Sequence, residues 1–124
     1  MSRTALILFA HGSRDPEWAS PLQRVCALVR AQAPALRVEL SFLEFIAPSL
    51  DESTQALVAE GVERIVVLPM FIAPGGHLKH DLPRLLDELR RRYAPTRFEQ
   101  AAALGEADAI VQAMVAHVLT LAGE

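Results

Sequence analysis

The chain has a single cysteine, Cys26, so it can form no intramolecular disulfide and no cysteine-rich zinc site, a usage that fits a reducing compartment. Aromatic residues make up only 6% and the formal net charge is −3, which leaves no basic footprint for a nucleic-acid partner. The apolar run from Ala5 to Ala10 is too short to span a membrane and lacks the length and cleavage pattern of a secretory signal, so no membrane partner is expected and the cytoplasm is the default location. There is no Gly-x-Gly-x-x-Gly and no Walker A sequence, which removes the usual support for ATP or nucleotide binding.

Apolar residues, by contrast, are abundant: 52% of 124 residues are hydrophobic and 22% are charged. That length lies near the size of one domain, and residues 1–124 are read as one. So apolar a composition implies a sheet covered on both faces, with apolar surface left over for a partner; a homo-oligomer is the expectation.

Thr4 to Ala10 is a continuous apolar run ending at His11-Gly12, which reads as a buried strand, β1. Asp15-Pro16-Glu17 offers a helix cap followed by proline, and Trp18, Leu22, Val25 and Val29 recur at helical spacing, predicting α1 from there to about Gln32, before Pro34. Residues 36–44 alternate as a strand, β2, ending at Glu44. Ser49 and Glu52 have the spacing of a capping box for a short helix, α2, closed by Gly61. Residues 63–71 hold the run Ile65-Val66-Val67-Leu68, a second buried strand, β3. Leu82, Leu85, Leu86, Leu89 and Tyr93 mark α3, whose arginines form a solvated face and which Pro95 ends. A weaker strand, β4, spans residues 97–103, and a stripe from Ala107 to Leu121 marks α4. Four β-α units with buried strands predict an α/β fold, a three-layer α/β/α arrangement around a four-stranded parallel sheet.

Between β3 and α3 lies Pro69-Met70-Phe71-Ile72-Ala73-Pro74-Gly75-Gly76-His77-Leu78-Lys79-His80-Asp81-Leu82-Pro83, a stretch rich in glycine, proline and chemistry-bearing side chains, which reads as a functional loop. In open parallel sheets ligands bind beyond the carboxyl ends of the strands, where strand order reverses. With the order 2-1-3-4, His11 after β1 and His77 after β3 would face one cleft, with Glu44 on its rim. Two imidazoles suit cobalt, iron, nickel or zinc and also proton transfer near neutral pH, although a histidine at a strand end can equally serve only to hydrogen-bond a carbonyl. His80 and Asp81 read as supporting residues, Asp81 as a helix cap, and His117 as surface. Arg14 and Lys79 flank the two loops and can meet acidic groups or stand solvated; Gly12-Ser13 and Gly75-Gly76 can expose backbone amides to an anion. Met70, Trp18 and Cys26 read as packing residues.

At these residues the sequence resembles the small class II chelatases of the sirohydrochlorin cobaltochelatase and ferrochelatase type, the CbiX and SirB family. The resemblance lies in Leu8-Phe9-Ala10-His11-Gly12-Ser13-Arg14-Asp15-Pro16, in Phe42-Leu43-Glu44 followed by Pro48-Ser49-Leu50, in Gly76-His77-Leu78-Lys79-His80-Asp81-Leu82-Pro83, and in Leu104-Gly105 before α4. It implies insertion of a divalent metal, cobalt, iron or nickel, into sirohydrochlorin or a related tetrapyrrole without ATP, on the way to cobalamin, siroheme or a nickel cofactor. His11 and His77 then match the residues that hold the metal and accept pyrrole protons. Glu44 matches an assisting acid, while Ser13, Arg14, Gly76 and Lys79 are placed to meet substrate carboxylates. Members of this length are similar to half of the longer two-domain chelatases, which implies a homodimer. Phe9, Met70, Phe71 and Ile72 offer an apolar wall, with the core as the alternative fate of Phe9. A carrier of metal or tetrapyrrole without turnover is the alternative from the binding class. A histidine-phosphatase-like phosphoryl transfer is a third, weakened because Ala10 stands where that pattern has arginine.

Overall fold

The two apolar runs become the inner strands of a parallel sheet: β1 is Thr4–Ala10 and β3 is Arg64–Pro69, with β2 at Arg37–Phe42 and β4 at Arg97–Gln100 outside them. The computed structural model describes residues 3–73 and 75–123, and for His77 the backbone alone. Strand order is β2-β1-β3-β4, all parallel, with Leu8 opposite Leu40 on one side and Leu68 on the other. The helices are α1 (Ser20–Gln32), α2 (Leu50–Ala59), α3 (Gly76–Arg92) and α4 (Asp108–Leu121), and a single 3-10 turn, η1 (Leu104–Glu106), precedes the last.

Alternation along each strand sorts the core into two layers. On one face Ala5, Ile7, Phe9, Ile65, Val67 and Phe98 are buried against Leu50 and Leu57 of α2 and Leu78, Leu82, Leu86 and Leu89 of α3. Each fully buried large apolar side chain there contributes about 1.5–3 kcal/mol. Phe9 is fully enclosed, so of the expected apolar wall it belongs to the core. On the other face α1 sets Cys26 against Leu8 and Val38, and Ala19 against Ala10 and Phe42. Buried hydroxyls are paired: Ser41 Oγ donates to Ser53 Oγ at 2.6 Å and Thr54 Oγ1 to the Leu50 carbonyl at 2.8 Å.

The capping box forms as expected, with Glu52 N donating to Ser49 Oγ at 3.1 Å and Ser49 N to Glu52 Oε1 at 2.9 Å; Gly61 follows α2 at φ 91°. Several boundaries move; β3 and β4 end earlier than expected, at Pro69 and Gln100. Helix α1 begins at Ser20 rather than beside Pro16, because Asp15 closes a turn, its Oδ1 accepting from Glu17 N at 2.9 Å and its carbonyl from Trp18 N at 3.1 Å; Pro21 occupies the first helical turn instead. Regular β2 pairing stops at Phe42, although Leu43 N still reaches the Ala10 carbonyl at 2.9 Å. Helix α3 starts at Gly76 with Gly75 as its N-cap, so His77 to Asp81 are helical and Asp81 lies inside the helix, not at its cap. The last helix forms where its stripe predicts but buries no residue.

Candidate functional site

Four parallel strands deliver their carboxyl ends to one end of the sheet, and the change of direction in strand order falls between β1 and β3. His11 leaves β1 there, Glu44 follows β2, and the chain after β3 runs through Met70 to Ile72 before α3 begins.

Gly12 is what lets the first two loops meet. Its φ is 97°, and a Cβ at that position would fall into the Glu44 carbonyl, so only glycine permits the contact. The backbone is tied across it, Glu44 N donating to the His11 carbonyl at 3.2 Å. As a result His11 Nδ1 lies 3.9 Å from Glu44 Oε1, with the two side chains 53% and 49% exposed. That distance is longer than a hydrogen bond; the carboxylate is an electrostatic neighbour that leaves both ring nitrogens open to other partners. The His11 ring also lies 6.3 Å from the Phe71 ring, tilted by 59°. Phe71 is held in turn: Met70 N donates to the Phe9 carbonyl at 2.8 Å, and the Phe71 carbonyl accepts from Gly105 N at 2.9 Å. Gly105 is pressed against the Ile72 backbone so closely that no Cβ fits, which fastens η1 to the loop after β3.

Arg14 is exposed but has an aromatic neighbour. Its guanidinium carbon sits 4.7 Å above the Phe45 ring, a cation–π pair. Phe45 is 56% exposed and has φ 69°, the left-handed region that disfavours a side chain. Reading the sequence missed this residue, because no glycine, asparagine or aspartate announces the turn; its only signal is an aromatic beside the acid of a conspicuous Leu-Glu pair. Ser13 Oγ accepts from Asp15 N at 3.1 Å, so its hydroxyl shapes the loop that presents Arg14. Lys79 is exposed on α3 and lines a cavity of about 220 Å³ together with Phe71, Leu82, Gln100 and Glu106. Ile72, the next residue after Phe71, is 75% exposed.

The imidazole of His77 lies outside the described residues; its backbone is in the first turn of α3, at the carboxyl end of β3. Gly76, expected in a loop, is the first residue of the helix, and both it and Gly75 are exposed. His80 is exposed on the same helix, while His117 is exposed on α4. Among the described residues no group of three or more histidine, cysteine or acidic side chains gathers for a metal. What the described side chains assemble is one imidazole with a carboxylate, an aromatic-guanidinium pair at one rim and a lysine-lined cavity at the other. Such a site can take up a proton and can lend one imidazole to a metal in transit.

Known proteins share the fold. The CbiX family model matches residues 5–121. A sirohydrochlorin cobaltochelatase from Saccharolobus solfataricus is 37% identical over 105 residues, 76% of this chain and 75% of that protein. One from Priestia megaterium is 30% identical over 101 residues, 82% of this chain, which spans only 33% of that relative. A solved CbiX structure from Marinobacter aquaeolei superposes with a TM-score of 0.84 at 26% identity, covering 97% of this chain and 98% of that one. The sirohydrochlorin chelatase SirB of Bacillus subtilis subspecies spizizenii, solved with cobalt, has a TM-score of 0.80 at 25% identity and covers 95% of this chain but 50% of its own. With the family model matching residues 5–121 and the superposition extending along nearly the whole length, this chain belongs to the CbiX family.

Proposed function

We propose that residues 1–124 form one chelatase domain that inserts a divalent metal into sirohydrochlorin or a closely related tetrapyrrole, in cobalamin or siroheme synthesis, without ATP. The observation that carries the reading is the His11–Glu44 pair, 3.9 Å apart at adjoining strand ends, in a chain whose relatives are sirohydrochlorin cobaltochelatases.

The chemistry asks little covalent work of the protein. One divalent ion enters the macrocycle and two pyrrole N–H protons leave, so the enzyme must hold the ion briefly, accept protons and keep a large polyanion in place. In this reading neutral His11 and His77 hold the incoming ion as substrate and take up the pyrrole protons. Glu44, beside His11 Nδ1, stabilises the imidazolium that results and passes the proton toward solvent. Arg14 and Lys79 meet substrate carboxylates from opposite rims, supported by the Ser13 loop and the amide end of α3 at Gly76. Imidazole accepts cobalt, iron and nickel alike, so the metal used follows supply as much as ligand chemistry. Solved SirB structures hold cobalt in one case and Fe3+ in another, consistent with such breadth in that relative. The chain acts in the cytoplasm as a homodimer, each copy supplying the half that a chain of SirB length carries by itself.

Metal insertion is followed as the change in sirohydrochlorin absorbance. Wild-type protein should complete many turnovers per site with at least one of cobalt, iron or nickel. His11→Ala and His77→Ala should each slow insertion by about 10²-fold or more, the scale of losing a proton-transfer group. Full activity in both variants would overturn the assignment, and a single stoichiometric binding event without turnover would make the protein a carrier.

A further inference from the structure

We infer that Glu106 is a specificity-determining residue: with Lys79 it makes the cavity near His11 tell a carboxamide arm of the macrocycle from a carboxylate arm, in favour of the amide. The inference rests on the tetrapyrrole reading above and narrows it to a macrocycle with at least one amidated arm.

The cavity, about 220 Å³, lies at the carboxyl ends of β3 and β4, where α3 begins and η1 passes. Phe71 and Leu82 give it an apolar wall, and the Phe71 ring lies 6.3 Å from that of His11. An arm that enters here leaves its macrocycle beside the imidazole. The polar part of the wall is Lys79, Glu106 and Gln100. At about 30 Å³ per water the volume matches roughly seven waters, room for one carboxyethyl arm of about five non-hydrogen atoms but not for a pyrrole ring that carries a pair of arms. A single arm is what the cavity reads.

The polar groups stand on fixed backbone. Lys79 N donates to the Gly75 carbonyl at 3.0 Å in the first turn of α3, and Ala101 N, next to Gln100, donates to the Val67 carbonyl at 2.9 Å. Glu106 N donates to the Ala103 carbonyl at 2.9 Å within η1. The close approach of Gly105 to the Ile72 backbone, where no Cβ fits, keeps η1 and Glu106 against the loop after β3.

The side chains themselves are unengaged. Among the described residues the Lys79 amine, the Glu106 carboxylate and the Gln100 amide enter no ion pair or side-chain hydrogen bond, not even with one another. Neighbouring opposite charges elsewhere on the surface do pair, as Arg37 with Glu60 and Arg64 with Glu99.

An ammonium offers only donors and a carboxylate only acceptors. A guest carboxylate therefore satisfies Lys79 and is repelled by Glu106. A primary carboxamide satisfies both, its carbonyl oxygen accepting from Lys79 Nζ and its N–H donating to Glu106, while the Gln100 amide can serve either end. Glu106 thus acts as the repulsive element that turns a general carboxylate contact into a choice. The other carboxylates of the macrocycle are left to Arg14. A carboxamide arm is made by condensing a carboxyl group with ammonia, so the reaction that supplies this substrate is an amidation that precedes metal insertion.

The test is binding of metal-free coproporphyrin I and of its monoamide to the full chain, each read as quenching of porphyrin fluorescence. The ratio of the two affinities is compared between proteins, which cancels the number of equivalent arms. Glu106→Gln keeps the size of the side chain and removes its charge; it should lower the preference for the amide by about fivefold, the upper end for one exposed charge, mainly because the free acid binds more tightly. Lys79→Met should weaken both probes. An unchanged ratio in Glu106→Gln, which is what a merely structural role would give, would overturn the assignment, and so would failure of either probe to bind the wild type. Insertion of metal into sirohydrochlorin is scored separately: an unchanged ratio with insertion intact sinks the amide preference alone, and the shifted ratio without insertion sinks the chelatase reading alone.

Discussion

Phe45 occupies a backbone conformation that glycine would hold with less strain, at φ 69°. A bulky residue there stores about 1–3 kcal/mol, and such strain gathers where a side chain is needed for more than folding. Phe45→Gly should therefore raise the thermal stability by about 1 kcal/mol while weakening tetrapyrrole binding, because Arg14 loses the ring that holds its guanidinium. Unfolding midpoints and quenching of tetrapyrrole fluorescence measure the two effects, and a variant that gains stability with unchanged binding would reduce the residue to a turn. Gly12→Ala should act in the opposite sense, losing about 2 kcal/mol or more, since its methyl group meets the Glu44 backbone and parts His11 from its carboxylate. His11, Glu44 and Lys79 were legible as candidates because their residue types and positions at strand ends carry the signal. Phe45 was not, because nothing in a Glu-Phe-Ile run declares a positive φ. Cys26, buried between α1 and the sheet, has its thiol pushed up by that burial, so a thiol reagent should label it only as the protein unfolds.

Elements whose boundaries rest on local chemistry were readable; those that rest on neighbours were not. The Ser49–Glu52 box starts α2 as its spacing predicts, and Ser49→Ala should lower stability by about 1 kcal/mol in chemical denaturation. Asp15-Pro16 carries an equally good helix signal, yet the chain spends it on a turn and starts α1 at Ser20. The beginning of α3 was hidden for another reason: paired glycines read as loop, and only the surrounding fold makes them a helix end. Strand starts are tied to other elements by ion pairs, Arg37 Nε to Glu60 Oε2 at 2.8 Å and Arg64 Nη2 to Glu99 Oε2 at 2.7 Å. Hydrogen bonding to these arginines holds the Glu60 and Glu99 carboxyls below their ordinary values. A lowered folded value contributes stability that is present above the unfolded value of about 4.3 and is lost as pH falls through the folded one. Thermal midpoints should thus decline on the acid side of pH 4.5, and the decline should be shallower in Glu60→Gln and Glu99→Gln; identical slopes would show that solvent screens both pairs.

At the scale of the whole molecule, a parallel sheet with helices on both faces followed from alternation and strand composition, whereas the order 2-1-3-4 entered only as a condition, one the structure meets. The bare α4 did not follow, because an apolar stripe tells that a helix will be covered but not by which copy of the chain. If coverage comes from a partner, the unfolding midpoint should rise with protein concentration, and a midpoint constant over a hundredfold dilution series would argue against it. The distribution of cations holds one more consequence. Every basic side chain other than histidine is arginine except Lys79, which stands on the cavity wall with Phe71 and Glu106. The sequence therefore carries a single side-chain amine, and it sits at the cavity proposed to receive the macrocycle. Brief acylation followed by mass analysis becomes an occupancy gauge: one added group on the free protein beyond the amino terminus, and shielding of that group in proportion to bound tetrapyrrole.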